Sequence, residues 1–140
     1  MPIGTQLGPY ELLQEIGRGG MGVVFKARDV ELGRCVALKV VQFDDLEGKT
    51  RARFLREARA AASVKHDHVV TLHAVGSITD GSSYLVMEFV DGTTLRQRIG
   101  SGNPLPPLET AQLISQAAAG LQAIHDAGLV HCDVKPSNIM

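Results

Sequence analysis

Gly17-Arg18-Gly19-Gly20-Met21-Gly22 runs directly into Val23-Val24-Phe25-Lys26-Ala27, and the junction between these two stretches decides the fold. The first satisfies G-x-G-x-x-G, a spacing shared by unrelated nucleotide sites and weak on its own. The residues after the last glycine discriminate. In a dinucleotide-binding fold the glycines open a helix, whereas residues 23–27 alternate and are β-branched, so this turn joins two strands. A Walker A loop places Lys and then Ser or Thr after the last glycine, and Val23-Val24 stands there instead. The reading left is a glycine hairpin whose backbone amides approach phosphates because no Cβ atoms intervene, with a merely flexible hairpin as its alternative.

Outward from this turn the pattern stays short and alternating. Stretches 10–16, 23–28, 35–41, 69–75 and 83–89 are rich in β-branched or aromatic residues and read as five strands. Glu31-Leu32-Gly33-Arg34 and Asp80-Gly81-Ser82-Ser83 supply turn chemistry suited to antiparallel hairpins. Residues 49–63 break the alternation. There Ala52, Leu55, Ala58 and Ala62 recur at helical spacing, with Arg51, Arg53, Arg56 and Arg59 around the remaining surface, which predicts one helix inserted in a small sheet. Those arginines suit a solvated helix face better than an RNA contact. Past Phe89, Asp91-Gly92 and residues 100–107 punctuate a short segment before a long helical pattern. Pro106-Pro107 suits its start, Gly128 its end, and Leu113, Ala117, Leu121 and Ile124 line one face.

Composition bounds the function. The chain has 140 residues, 44% apolar and 21% charged, the profile of a soluble globular unit. A net charge of -1 gives no global pull toward nucleic acid or anionic membrane, so neither is expected as a partner. Cys35 and Cys132 are too few for a disulfide framework and read as reduced thiols in the cytoplasm. No signal peptide or membrane segment is expected. His66, His68 and His73 do not compose a zinc set, and Cys132 beside His131 is expected as a small packed residue rather than a reactive thiol.

Two further places carry chemistry. Val36-Ala37-Leu38-Lys39 falls in the third expected strand, where Ala37 and Lys39 share a face, so a small residue beside a cation leaves room for a flat ligand with an anionic tail. Glu57 is the only acid in 49–63 and the only residue of that helix able to neutralise Lys39; an i, i+4 pair with Arg53 is its other use, and both stay open. His131-Cys132-Asp133-Val134-Lys135-Pro136-Ser137-Asn138 then gathers an acid, a cation and an amide into one loop. An Asp accepts a hydroxyl proton, an ammonium neutralises a transferring phosphoryl group, and an Asn oxygen ligates a hard cation such as Mg²⁺.

Taken in order, GRGGMGVV, VALK, the Glu57 helix, YLVMEFVDG and HCDVKPSN resemble the protein kinase catalytic domain, and most closely bacterial Ser/Thr kinases. The resemblance covers residues 10–140. It implies an α+β, protein-kinase-like fold: a five-stranded antiparallel N-lobe sheet with one inserted helix, then the first helices of an incomplete α-helical C-lobe. It implies ATP and Mg²⁺ as cofactors and Ser/Thr-bearing proteins as substrates. Lys39 would hold the α- and β-phosphates and pair with Glu57, Asp133 would orient and deprotonate the acceptor hydroxyl, Lys135 would contact the γ-phosphate, and Asn138 would ligate magnesium. The phosphate turn would comprise Gly17, Arg18, Gly19, Gly20, Met21 and Gly22. Val24 and Ala37 would sandwich the base with Ile16 above it, Met87 would be the gatekeeper, and the backbones of Glu88 and Val90 the adenine hinge. Lysine at 135 favours Ser/Thr over Tyr specificity.

Two departures accompany the resemblance. Cys132 stands where most kinases carry the Arg that reads a phosphorylated activation loop. The sequence holds no D-F-G, activation loop or A-P-E after Asn138, so the expected organisation is a leader at 1–9, the N-lobe and hinge at 10–90, and the start of the C-lobe at 91–140. Such a piece is expected to be inactive in isolation, with a membrane tether beyond it left open. A pseudokinase or ATP-binding scaffold is the alternative, and a small-molecule phosphotransferase of the same fold a more distant one.

Overall fold

Alternation along the strands makes the sheet. The computed structural model describes residues 1–19, 22–43, 49–100, 102 and 104–140; Gly20 and Met21 of the glycine turn lie outside the described residues. Strands β1 (Gln6–Leu7), β2 (Tyr10–Gly19), β3 (Gly22–Asp29), β4 (Arg34–Val41), β5 (Leu72–Ser77) and β6 (Ser83–Glu88) form one sheet in the order β1-β2-β3-β4-β6-β5. Every neighbouring pair is antiparallel. Leu12, Phe25, Ala27, Val36, Leu38, Val40 and Val86 are buried together as its core. Leu38 is fully buried, so Leu38→Ala is expected to cost about 2–5 kcal/mol of stability, read from denaturant unfolding of a complete domain carrying this sequence.

The five expected strands are present, and the sheet has one more. Residues 1–9, expected as a leader, contain β1, which pairs Gln6 with Glu11 and Leu7 with Tyr10. The Gly4 N–H also donates to the Leu12 carbonyl at 2.8 Å. A two-residue strand is too short to show alternation, which is why sequence periodicity passes over it. The fourth expected strand starts later, at Leu72, because the Val69 N–H is taken by the His66 carbonyl in a turn.

Helix α1 (Lys49–Ala61) comes after β4. Its inner side is Phe54, Leu55 and Ala58, with Ala52 and Ala62 exposed, so the apolar stripe is rotated from the expected one. Arg51 is not simply solvated: its Nη2 donates to Ser77 Oγ at 2.6 Å, tying the first turn of α1 to the end of β5.

Contact density divides the chain into two units: Met1–Ala62 with Thr71–Phe89, and Ser63–Val70 with Val90–Met140. The second contains α2 (Leu95–Gly100), α3 (Pro107–Asp126) and a 3-10 turn at Pro136–Asn138. Helix α2 begins in a capping box. Thr94 Oγ1 accepts the Gln97 N–H at 3.2 Å while Gln97 Oε1 accepts the Thr94 N–H at 2.8 Å. Helix α3 starts at Pro107 as expected. A Cβ on Gly120, which is buried in α3, would lie 2.6 Å from the His68 carbonyl oxygen, so only glycine lets the 63–70 segment pack there. On the outer side of α3, Leu108 and Ile114 are exposed.

Candidate active site

The register of the first unit builds a ligand-sized face. Ala37 on β4 lies opposite Lys26 on β3 and Met87 on β6, and Lys39 lies opposite Val24 and Leu85. Directly paired residues project to the same side, so Val24, Lys26, Ala37, Lys39, Leu85 and Met87 share one face while the core residues occupy the other. This face joins the expected Val24, Ala37, Lys39 and Met87. Lys26 and Leu85 were not singled out from sequence, although two-residue spacing from Val24 would have found Lys26.

The glycine turn closes one end of β2 and β3, with Gly19 paired to Gly22. Gly22 has φ +129, and a Cβ there would meet the Val40 carbonyl oxygen at 1.9 Å. Any other residue would force β3 away from β4 at the point where the expected phosphate turn ends. Ile16 sits at a register shift in β2 between Glu15 and Gly17 and is 45% exposed. Arg18 holds Glu15 in a two-pronged pair, Nε to Oε1 at 2.9 Å and Nη2 to Oε2 at 2.7 Å. That hydrogen bonding keeps the Glu15 carboxyl below the usual glutamate range.

Lys39 and Glu57 line one cavity of about 430 Å³, together with Val41, Phe43, Phe54 and Leu85. Glu57 Oε1 nevertheless receives Arg53 Nε at 2.7 Å, the i, i+4 use left open by the sequence, and among the described residues Lys39 has no ion pair. Helix geometry puts the Arg53 guanidinium on the adjacent turn, so this contact forms without any tertiary rearrangement.

The second unit assembles the acid, cation and amide. Lys135 Nζ lies 2.9 Å from Asp133 Oδ2. Asn138 Nδ2 donates to the Asp133 backbone oxygen at 2.8 Å and to its Oδ2 at 3.0 Å. Pro136 opens the 3-10 turn, whose Asn138 N–H bonds the Lys135 carbonyl at 2.9 Å, and this compact turn swings the amide back onto Asp133. His131 Nδ1 accepts the Asp133 N–H at 3.2 Å. Between them Cys132 takes a left-handed φ of 61 and is exposed, which corrects the expectation of a packed residue.

The hydrogen bond from Lys135, and secondarily that from Asn138, holds the Asp133 carboxyl below the usual aspartate range. The carboxylate therefore persists to lower pH than a free aspartate. Lys135→Met is expected to move the acid limb of a pH–activity profile to higher pH, because the group would then protonate earlier as pH falls. An unmoved acid limb would show that Lys135 does not control this carboxylate.

With its NH₂ committed to Asp133, Asn138 Oδ1 has no donor among the described residues and is the atom open to a hard cation. The donor chemistry thus fits magnesium at this position as a single neutral ligand. Among the described residues no group of three or more His, Cys, Asp or Glu side chains is arranged to hold a metal, and no helix is long and apolar enough to cross a membrane.

A sheet with a glycine hairpin and a small-residue/lysine face in one unit, and an Asp-Lys-Asn loop after a long helix in the other, define the kinase class of fold. The chain belongs to the protein kinase family, whose protein kinase domain model matches residues 10–140. It is 42% identical to the serine/threonine-protein kinase PknD of Mycobacterium tuberculosis over 140 residues, covering 99% of this chain and 21% of that protein. It is 43% identical over 137 residues to the probable serine/threonine-protein kinase SCO3848 of Streptomyces coelicolor, covering 95% of this chain and 20% of that protein. The chain therefore spans about a fifth of these relatives' length. The crystal structure of the Mycobacterium tuberculosis PknI kinase domain matches with TM-score 0.85 and 30% identity, over 100% of this chain and 58% of that one.

Proposed function

We propose that the protein carrying this chain transfers the γ-phosphoryl group of ATP to Ser and Thr hydroxyls of protein substrates in the cytoplasm. The observation that carries the proposal is the convergence of Lys135 Nζ and Asn138 Nδ2 on the Asp133 carboxylate. A carboxylate held in this way is kept ionised and oriented to take the acceptor proton, with a cation beside it for the γ-phosphate. Lys39, on the face shared with Ala37, is the cation for the α- and β-phosphates. Gly17, Gly19 and Gly22 let the turn backbone approach them, and the backbones of Glu88 and Val90 bond the base. Asn138 Oδ1 would hold magnesium, which neutralises phosphate charge when bound. Glu57 turns to Lys39 at small cost, because its present partner Arg53 forms an exposed helix pair worth only about 0.3–0.5 kcal/mol. Exposed free thiols at Cys35 and Cys132 agree with a reducing compartment.

The test is incubation of a complete kinase domain carrying this sequence with γ-labelled ATP, magnesium and a protein acceptor, and then phosphoamino-acid analysis. Label on serine and threonine is expected. Label on tyrosine would refute the specificity, transfer to a small molecule alone would refute the protein substrate, and ATP binding without transfer would establish a pseudokinase.

A further inference from the structure

We propose that Lys26 is a positioning residue for the nucleotide base, acting through Phe89; this rests on the kinase function proposed above. Lys26 Nζ sits 4.5 Å from the centroid of the Phe89 ring. Both side chains are half-buried, where a cation over an aromatic face contributes more than at a fully exposed site. Phe89 falls between Glu88 and Val90, the two residues whose backbone groups are assigned to the base, so whatever fixes its ring also fixes the chain on either side of it.

The strand ladder explains why a lysine reaches this point. Lys26 pairs with Ala37, and Ala37 with Met87, so the three cross the sheet in one row on one face. Lys39, paired with Val24, is the next residue of β4 on that face, at the diagonal position, about 7–8 Å from Lys26 along the backbone surface. A ligand with a flat base over Ala37 and an anionic tail toward Lys39 therefore has a cation at each end. The two cations are differently engaged. Lys39 has no ion pair among the described residues and is open to phosphate, whereas the Lys26 charge is directed onto the Phe89 ring. Lys26 thus sets the base end of the face, and Lys39 serves the phosphate end.

The test measures KM for ATP and kcat in a complete kinase domain carrying this sequence, for Lys26→Met, Lys26→Arg, Phe89→Leu and the double variant Lys26→Met/Phe89→Leu. Lys26→Met and Phe89→Leu are each expected to raise KM for ATP about three- to tenfold, with kcat changing less than about twofold. Lys26→Arg is expected to restore KM, because a guanidinium also packs on an aromatic face. The double variant is expected to be no worse than the poorer single one, since both remove the same contact. A general folding defect would lower kcat and would not be rescued by arginine. Unchanged KM in Lys26→Met or Phe89→Leu, additive effects in the double variant, or a Lys26→Arg enzyme as impaired as Lys26→Met would overturn the positioning role while leaving the kinase function standing. A wild-type domain that does not bind ATP would overturn both. Should Lys26→Met fail to fold, Phe89→Leu and Lys26→Arg decide the question alone.

Discussion

Asp133→Asn in a complete kinase domain is expected to lower kcat about 10²- to 10⁴-fold while leaving ATP affinity nearly unchanged. The side chain is of similar size, so Lys135 and Asn138 keep a partner at the same place, 2.9 and 3.0 Å from the atom they now bond. The variant loses the negative charge and the capacity to take a proton from the acceptor hydroxyl. In phosphoryl transfer the protein contributes mainly positioning and charge, and an amide can supply only the first. Steady-state kinetics with calorimetric ATP titration would separate the two effects. A kcat within a few-fold of wild type would remove Asp133 from the reaction, and a parallel loss of ATP binding would show that it acts on the nucleotide instead.

Lys39→Met is expected to reduce kcat/KM about 10²- to 10³-fold, with stability changed by less than about 1 kcal/mol. The asymmetry comes from where Lys39 sits. It is half-buried on the face opposite the core and has no ion pair among the described residues, so folding does not depend on its charge. A nucleoside triphosphate on that face is expected to depend on it, because neither side chain paired across Lys39 is cationic: Val24 lies on one side and Leu85 on the other. Thermal or denaturant unfolding alongside turnover assays would check both halves. Unimpaired transfer would remove Lys39 from the site, and a large loss of stability would make it a structural residue.

Much of this arrangement is legible locally. The β-branched run after Gly22 excludes a helix, the two-residue period of 36–40 separates Ala37 and Lys39 from Val36, Leu38 and Val40, and Pro106-Pro107 marks where α3 starts. The His131 to Asn138 loop is legible for a similar reason: its functional atoms lie within eight residues, so the turn that brings them together is short and proline-directed. Other features carry a local signal as well. Thr94-x-x-Gln97 is a capping box that announces α2, and Lys26 stands two residues from Val24 on the same strand face.

The sequence by itself determined five of the strands, the two longer helices and the turns between them, and which loop carries an acid, a cation and an amide, because those properties depend on sterics and hydrogen bonds within a few residues. Turn chemistry pointed to the hairpin neighbours, and only the tertiary structure decided the order of the whole sheet and its register. The placement of β6 between β4 and β5 puts Leu85 and Met87 beside Lys39 and Ala37. It also shows which partner Glu57 holds in this structure. An i, i+4 guanidinium is always within reach of a helical carboxylate, whereas Lys39 lies on a separate strand and reaches it only when α1 is set against the sheet; the structure shows the local partner engaged. The short β1 strand and the turn that delays β5 have the same origin, since each depends on a backbone group finding its partner in space and not on the chemistry of its own side chain.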